Sequence, residues 1–107
     1  HAMFDLAQVL LASAGASAEE TDEAMRWLRT AASNGFVQAQ SRLGSLLSDG
    51  ISIKPDYPEA WIWYTLAAAQ GDRVARMDAR RIERKLTADQ LESARQRVEH
   101  LGKTLRP

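Results

Sequence analysis

The chain repeats itself, and that constrains its fold more than any other feature. Sliding it by 36 positions lays Ala24, Trp27, Ala31, Ala32, Gly35 and Ala39 on Ala60, Trp63, Ala67, Ala68, Gly71 and Ala75, and carries Leu10 and Leu11 onto Leu46 and Leu47. A rare Trp and a turn-forming Gly are among the matches, so shared composition does not explain them. A repeat of this length is one supersecondary unit that cannot bury its own apolar face and must stack on its neighbours. The open question is what kind of unit stacks.

Within each unit the apolar residues recur at three and four, as in Ala60, Trp63, Tyr64, Ala67 and Ala68. That is the stripe of an amphipathic helix, and no alternation typical of a strand is sustained anywhere. Asp56 can cap a helix with Glu59 three residues on, and Pro58 fits the opening turn, where a missing N–H is harmless. Gly35 and Gly71 stand where helices end and a positive φ is needed; Gly15 and Gly50 close the helices before them. The pattern predicts helices over roughly residues 3–14, 19–33, 37–48, 57–70, 73–86 and 88–104, forming three antiparallel hairpins. The third departs from the repeat. Thr87 and Gln90 form a capping box, and Leu91, Ala94, Val98, Leu101 and Leu105 follow at helical spacing without the Trp or the paired Ala, so this hairpin reads as a terminal cap.

Small residues at Ala31, Ala32, Ala39, Gly44, Ala67, Ala68 and Ala75 let helix backbones approach, while Trp27, Leu28, Trp63 and Tyr64 fill the space between them. Trp27 and Trp63 share the packing position and are expected in the core. Trp61 faces about 200° away from Trp63 at 100° per residue. It either packs against the neighbouring unit or stands exposed as an anchor for a partner.

Ala39-Gln40, Leu43-Gly44, Leu47, Gly50, Asp56, Ala60, Trp63-Tyr64, Ala67-Ala68 and Gly71 together resemble the Sel-one-like repeat (SLR), a relative of the tetratricopeptide repeat. The preceding stretch keeps Ala24, Trp27-Leu28, Ala31-Ala32 and Gly35 but has Ala7-Gln8 where Leu-Gly is expected. The resemblance implies an all-α solenoid of antiparallel helix-turn-helix repeats, about two SLR units plus a C-terminal capping hairpin. Residues 1–3 read as a cloning remnant. Residues 4–107 read as a single helical-repeat domain from a longer protein, with units over 4–38 and 39–72 and a cap over 73–105. Members of the family serve as adaptors in bacterial envelope, signalling and secretion systems or in eukaryotic quality control. The resemblance leans toward a bacterial protein, in the periplasm and cell envelope or in the cytoplasm. Some cysteine-rich members are linked to β-lactam chemistry through a Cys pair per repeat, and this chain has no Cys.

Chemistry of its own is not expected. There is no His-Glu-x-x-His, no Gly-x-Ser-x-Gly, no Gly-rich phosphate loop and no metal-ligand cluster, so no cofactor or metal is foreseen and the chain reads as a non-enzyme. His100 stands alone, and Glu19, Glu20, Asp22 and Glu23 sit at a helix start where the macrodipole favours acids. Basic and acidic residues balance at 14 each, against general nucleic-acid binding. No run of 18 apolar residues could enter a membrane.

Binding a protein or peptide is the expectation that remains. Residues 1–72 hold 4 basic and 9 acidic side chains, while residues 73–107 hold 10 and 5. In stacked hairpins of this kind the first helix of each unit lines the groove, which nominates Gln38, Arg42, Ser45 and Asp49 in one unit and Arg76, Arg80, Arg81 and Arg84 in the next. The alternative is a self-association or spacer element. Phe4, Leu6, Val9, Leu10 and Leu11 of the N-terminal helix need a cover that an upstream repeat or a second copy would supply, making a homo-oligomer through that helix the competing expectation.

Overall fold

A computed structural model describes residues 18–50 and 54–105. These residues form α1 (Ala18–Ser33), α2 (Val37–Asp49), α3 (Tyr57–Ala69), α4 (Arg73–Ile82), a 3₁₀ turn (Glu83–Lys85) and α5 (Ala88–Leu105), with no strand among them. Helix 3–14, Gly15 and the self-association expected of that helix lie outside the described residues.

The local signals act as the sequence implies. Asp56 caps α3 by accepting from the Glu59 amide at 3.1 Å, and Asp72 caps α4 by accepting from the Ala75 amide at 2.9 Å. The Thr87–Gln90 box closes in both directions, at 2.9 and 3.1 Å. The Asp56 box closes in only one, because the Glu59 side chain turns away to pair with Arg29 of α1. Gly35 and Gly71 take φ of +88° and +103° at the two equivalent helix ends, a region other residues rarely adopt.

α3 is the centre of the fold. Ala60, Trp61, Ile62, Trp63, Tyr64, Leu66, Ala67 and Ala68 are all buried, leaving it almost no polar face, as expected of a helix enclosed by others. It packs against α2, α4 and α5, while α1 packs against α2. The approach of α2 to α3 depends on Gly44: a Cβ there would lie 2.9 Å from Tyr64 Cδ1. Gln40, fully buried, joins three helix ends. Its amide donates to the Ala32 carbonyl at 3.1 Å and its oxygen accepts from Gln70 at 2.9 Å, so its burial leaves neither end unpaired.

Two expectations need correction. Trp27 packs against the core but is only half-buried, with its indole N–H directed at Glu23 at 3.5 Å, whereas Trp63 is 6% exposed. The reason is position: Trp63 lies on the enclosed helix, and among the described helices only α2 packs substantially against α1. The third hairpin also differs from the two before it. The helix expected over 73–86 stops at Ile82, the 3₁₀ turn follows, and α5 packs chiefly on α3 and not on its own partner α4. Arg76 and Arg80 occupy the flank of α4 that corresponds to Gln40 and Gly44 of α2, and burying two unpaired guanidiniums under a helix is prohibitive. Lys85 lies over the Tyr57 ring at 4.9 Å and holds the redirecting turn against α3.

Candidate partner-binding faces

The structure divides the eight nominated residues between two faces. On α2, Gln38, Arg42, Ser45 and Asp49 fall within one narrow stripe, opposite the flank that holds Gln40 and Gly44. Gln38 and Asp49 are exposed, and Arg42 and Ser45 are half-buried. One repeat further on, the same stripe of α4 carries Val74, Asp78 and Arg81. Arg81 therefore belongs with the α2 residues, and its guanidinium donates to Asp78 at 3.0 Å. Arg84 lies in the 3₁₀ turn, beyond either stripe.

Sequence reasoning missed the apolar part of this first face. Val74 and Met77 are 67% and 69% exposed, the large hydrophobic side chains left open to solvent among the described residues. Their signal was available: both fall off the buried Ala75, Ala79 and Ile82 stripe of α4. Ser41 Oγ donates to the Asp72 carboxylate, tying α2 to the start of α4. That bond and the Ala75 amide hold the Asp72 carboxyl below the usual carboxylate range, against the opposing effect of burial.

Arg76 and Arg80 form the second face. They line a groove of about 340 Å³ whose other wall is Trp61, Thr65, Ala68 and Ala69 of α3, with Ala79 at its floor and Glu83 at one end. Trp61 is 6% exposed and its indole donates to Glu83 at 3.0 Å, so it packs against the neighbouring unit, the first of its two expected placements. Thr65 Oγ1 is buried there without a hydrogen-bond partner among the described residues, and Arg42 Nε is similarly orphaned on the first face. Neither Arg76 nor Arg80 is in an ion pair with a described residue, and both are exposed.

A larger groove, about 670 Å³, runs between α1 and the start of α3 past Glu19, Asp22, Arg26, Lys54 and Asp56. Arg29 and Glu59 already bridge it with two parallel hydrogen bonds. The hydrogen bond that Arg29 donates to Glu59 outweighs burial and raises the Arg29 pKa above its ordinary value. This bridge links the second helices of adjacent units, a contact that neither residue betrays in the sequence. Among the described residues no three His, Cys, Asp or Glu side chains converge as metal ligands, and no helix is long and apolar enough to cross a membrane.

Comparison with known proteins agrees with this architecture. The family model for the Sel1 repeat matches residues 1–36 and again 37–72. The solved structure of a protective antigen of uropathogenic Escherichia coli strains, described as displaying an SLR fold, superposes with a TM-score of 0.81 at 31% identity, covering 94% of this chain and 21% of that one. Chitin synthase regulatory factor 3 of Schizosaccharomyces pombe is 36% identical over 62 residues, which is 58% of this chain and 7% of that protein. The chain thus spans a small part of the proteins it matches.

Proposed function

We propose, because this chain belongs to the Sel1 repeat family, that it is a non-catalytic adaptor module binding a protein or peptide partner through the face made by the first helices of successive units. Sel1 repeat proteins are in general helical-repeat scaffolds that bind other proteins. The observation that carries the reading here is the pair of equivalent outward stripes on α2 and α4, partly buried on the first and largely open on the second. Their backs, Ala39, Leu43, Leu46 and Leu47 on one and Ala75, Ala79 and Ile82 on the other, fill the core, while their fronts carry polar groups and the exposed Val74 and Met77. Apolar anchors within a polar rim are the usual anatomy of a protein-binding surface. Gln38, Arg42, Ser45, Asp49 and Arg81 supply the rim, with Arg84 beyond its end. The domain reading is one repeat array, units 4–38 and 39–72 closed by residues 73–105, working within a longer protein.

Affinity capture from the source cells supplies a partner, and titration against variants of the chain tests the face. Met77→Glu and the Arg81→Glu/Arg84→Glu pair are expected to weaken binding about tenfold or more while the melting temperature stays nearly unchanged. Full affinity in both variants would remove this face from the binding surface.

A further inference from the structure

We propose that the groove between α3 and α4, lined by Trp61, Thr65, Ala68, Arg76, Ala79 and Arg80, is a second docking site, and that its occupant is an acidic amphipathic helix of a partner protein. This rests on the adaptor reading above and adds to it a separate face and a chemistry for the partner.

The repeat itself shows what shape the groove accepts. On α2 the flank formed by Gln40, Leu43, Gly44 and Leu47 is wholly buried, and the body that covers it is a helix, α3, with Tyr64 seated on Gly44. One repeat later the same four positions are Arg76, Ala79, Arg80 and Glu83. The helix that would cover them, α5, lies instead along the neighbouring side of α3, where Pro58, Glu59 and Ile62 meet Gln90, Ser93 and Ala94. A helix-shaped flank is therefore left without its helix.

The substitutions at those positions state the charge the occupant must carry. Gln40 and Gly44, neutral and enclosed, are replaced by two arginines one helical turn apart and on one side of α4. Both side chains are exposed and neither is in an ion pair with a described residue, and the acid that lines this groove, Glu83, is already engaged by the Trp61 indole. Carboxylates spaced three or four apart on an incoming helix would meet both arginines, each able to bind a carboxylate through two parallel hydrogen bonds. The floor between them is apolar, Ala79, with Ala68 on the facing wall, so the inserting side chains are small or aliphatic. At about 340 Å³ the groove holds only a few side chains, at the lower end of ligand sites.

The test displays a library of 14-residue amphipathic helices, with one face randomised among Ala, Leu, Ser, Glu and Lys, and selects on the full chain. Sequences with two acids three or four apart are expected to enrich. Their affinity should fall at least tenfold on Arg76→Glu/Arg80→Glu and stay within twofold on Met77→Glu, with the Trp61 indole N–H resonance shifting on binding while those of Trp27 and Trp63 stay. Enrichment of neutral or basic helices overturns the proposal, as does equal binding to the Arg76→Glu/Arg80→Glu variant. If the captured partner is lost on Met77→Glu but the selected helices never touch this groove, the adaptor reading stands and the second site falls. If the selected helices bind the groove and the captured partner ignores Met77, the reverse holds.

Discussion

Residues 37–69 and residues 73–105 begin from the same repeat and end as different objects. In the first stretch Gln40, Leu43, Gly44 and Leu47 turn one flank of α2 into core, and α3 closes over it. In the second, Arg76, Ala79, Arg80 and Glu83 stand at the same positions, the flank stays open, and α5 docks elsewhere. Four positions thus decide whether a hairpin shuts on itself or presents a wall to solvent. A hairpin whose first helix no longer offers a continuous apolar flank leaves that side open as surface for other uses.

The comparison can be broken most forcefully at the two tryptophans. Trp63→Ala on the enclosed α3 should cost about 3–5 kcal/mol in chemical denaturation, and truncation of the half-buried Trp27 to Ala on α1 only about 1–2 kcal/mol. Equal losses would mean that the first unit is as tightly closed as the second. Next in size is Gln40→Leu, which leaves the Ala32 carbonyl with only the Gly35 amide and removes one Gln70 contact; it should cost about 1–3 kcal/mol, while Arg76→Leu at the equivalent exposed site should change stability by less than about 0.5 kcal/mol.

Asp72 sharpens the junction between the two stretches. Its carboxyl titrates lower in the fold than in the unfolded chain, so its contribution is complete above the ordinary carboxylate pKa of about 4 and is lost as pH falls through the depressed folded value. Asp72→Ala should remove about 1 kcal/mol of capping at neutral pH. Ser41→Ala should flatten the acid limb of the stability curve without removing the cap itself. A stability profile of Ser41→Ala that overlays the wild type down to about pH 2 would show that the α2–α4 link has no part in the depression.

Much of this fold was legible beforehand because its signals are local. Helix limits followed from Asp56, Thr87, Gly35 and Gly71, each acting on its own turn of backbone, and four of the five described helices begin and end within a residue of their expected limits. α4 ended early, because Leu86 must extend to let Thr87 cap the next helix. The displacement of α5 onto α3 was not legible: it follows from which neighbours surround Arg76 and Arg80, a matter of three helices at once. For the same reason the sequence grouped Arg76, Arg80, Arg81 and Arg84 as one basic surface, although Arg80 and Arg81 point about 100° apart and serve different faces. The Gln40–Gln70 and Arg29–Glu59 pairs, each 30 residues apart in sequence, could not be read from spacing within a single helix.

The most direct test of the central claim, that equivalent positions are core in one hairpin and surface in the next, is the melting temperature of Gly44→Arg measured beside that of Arg80→Ala. The account predicts that Gly44→Arg, forced against the Tyr64 ring, loses at least about 10 °C, whereas Arg80→Ala stays within about 2 °C of wild type. Comparable losses in the two variants, or a Gly44→Arg protein that melts like wild type, would contradict it.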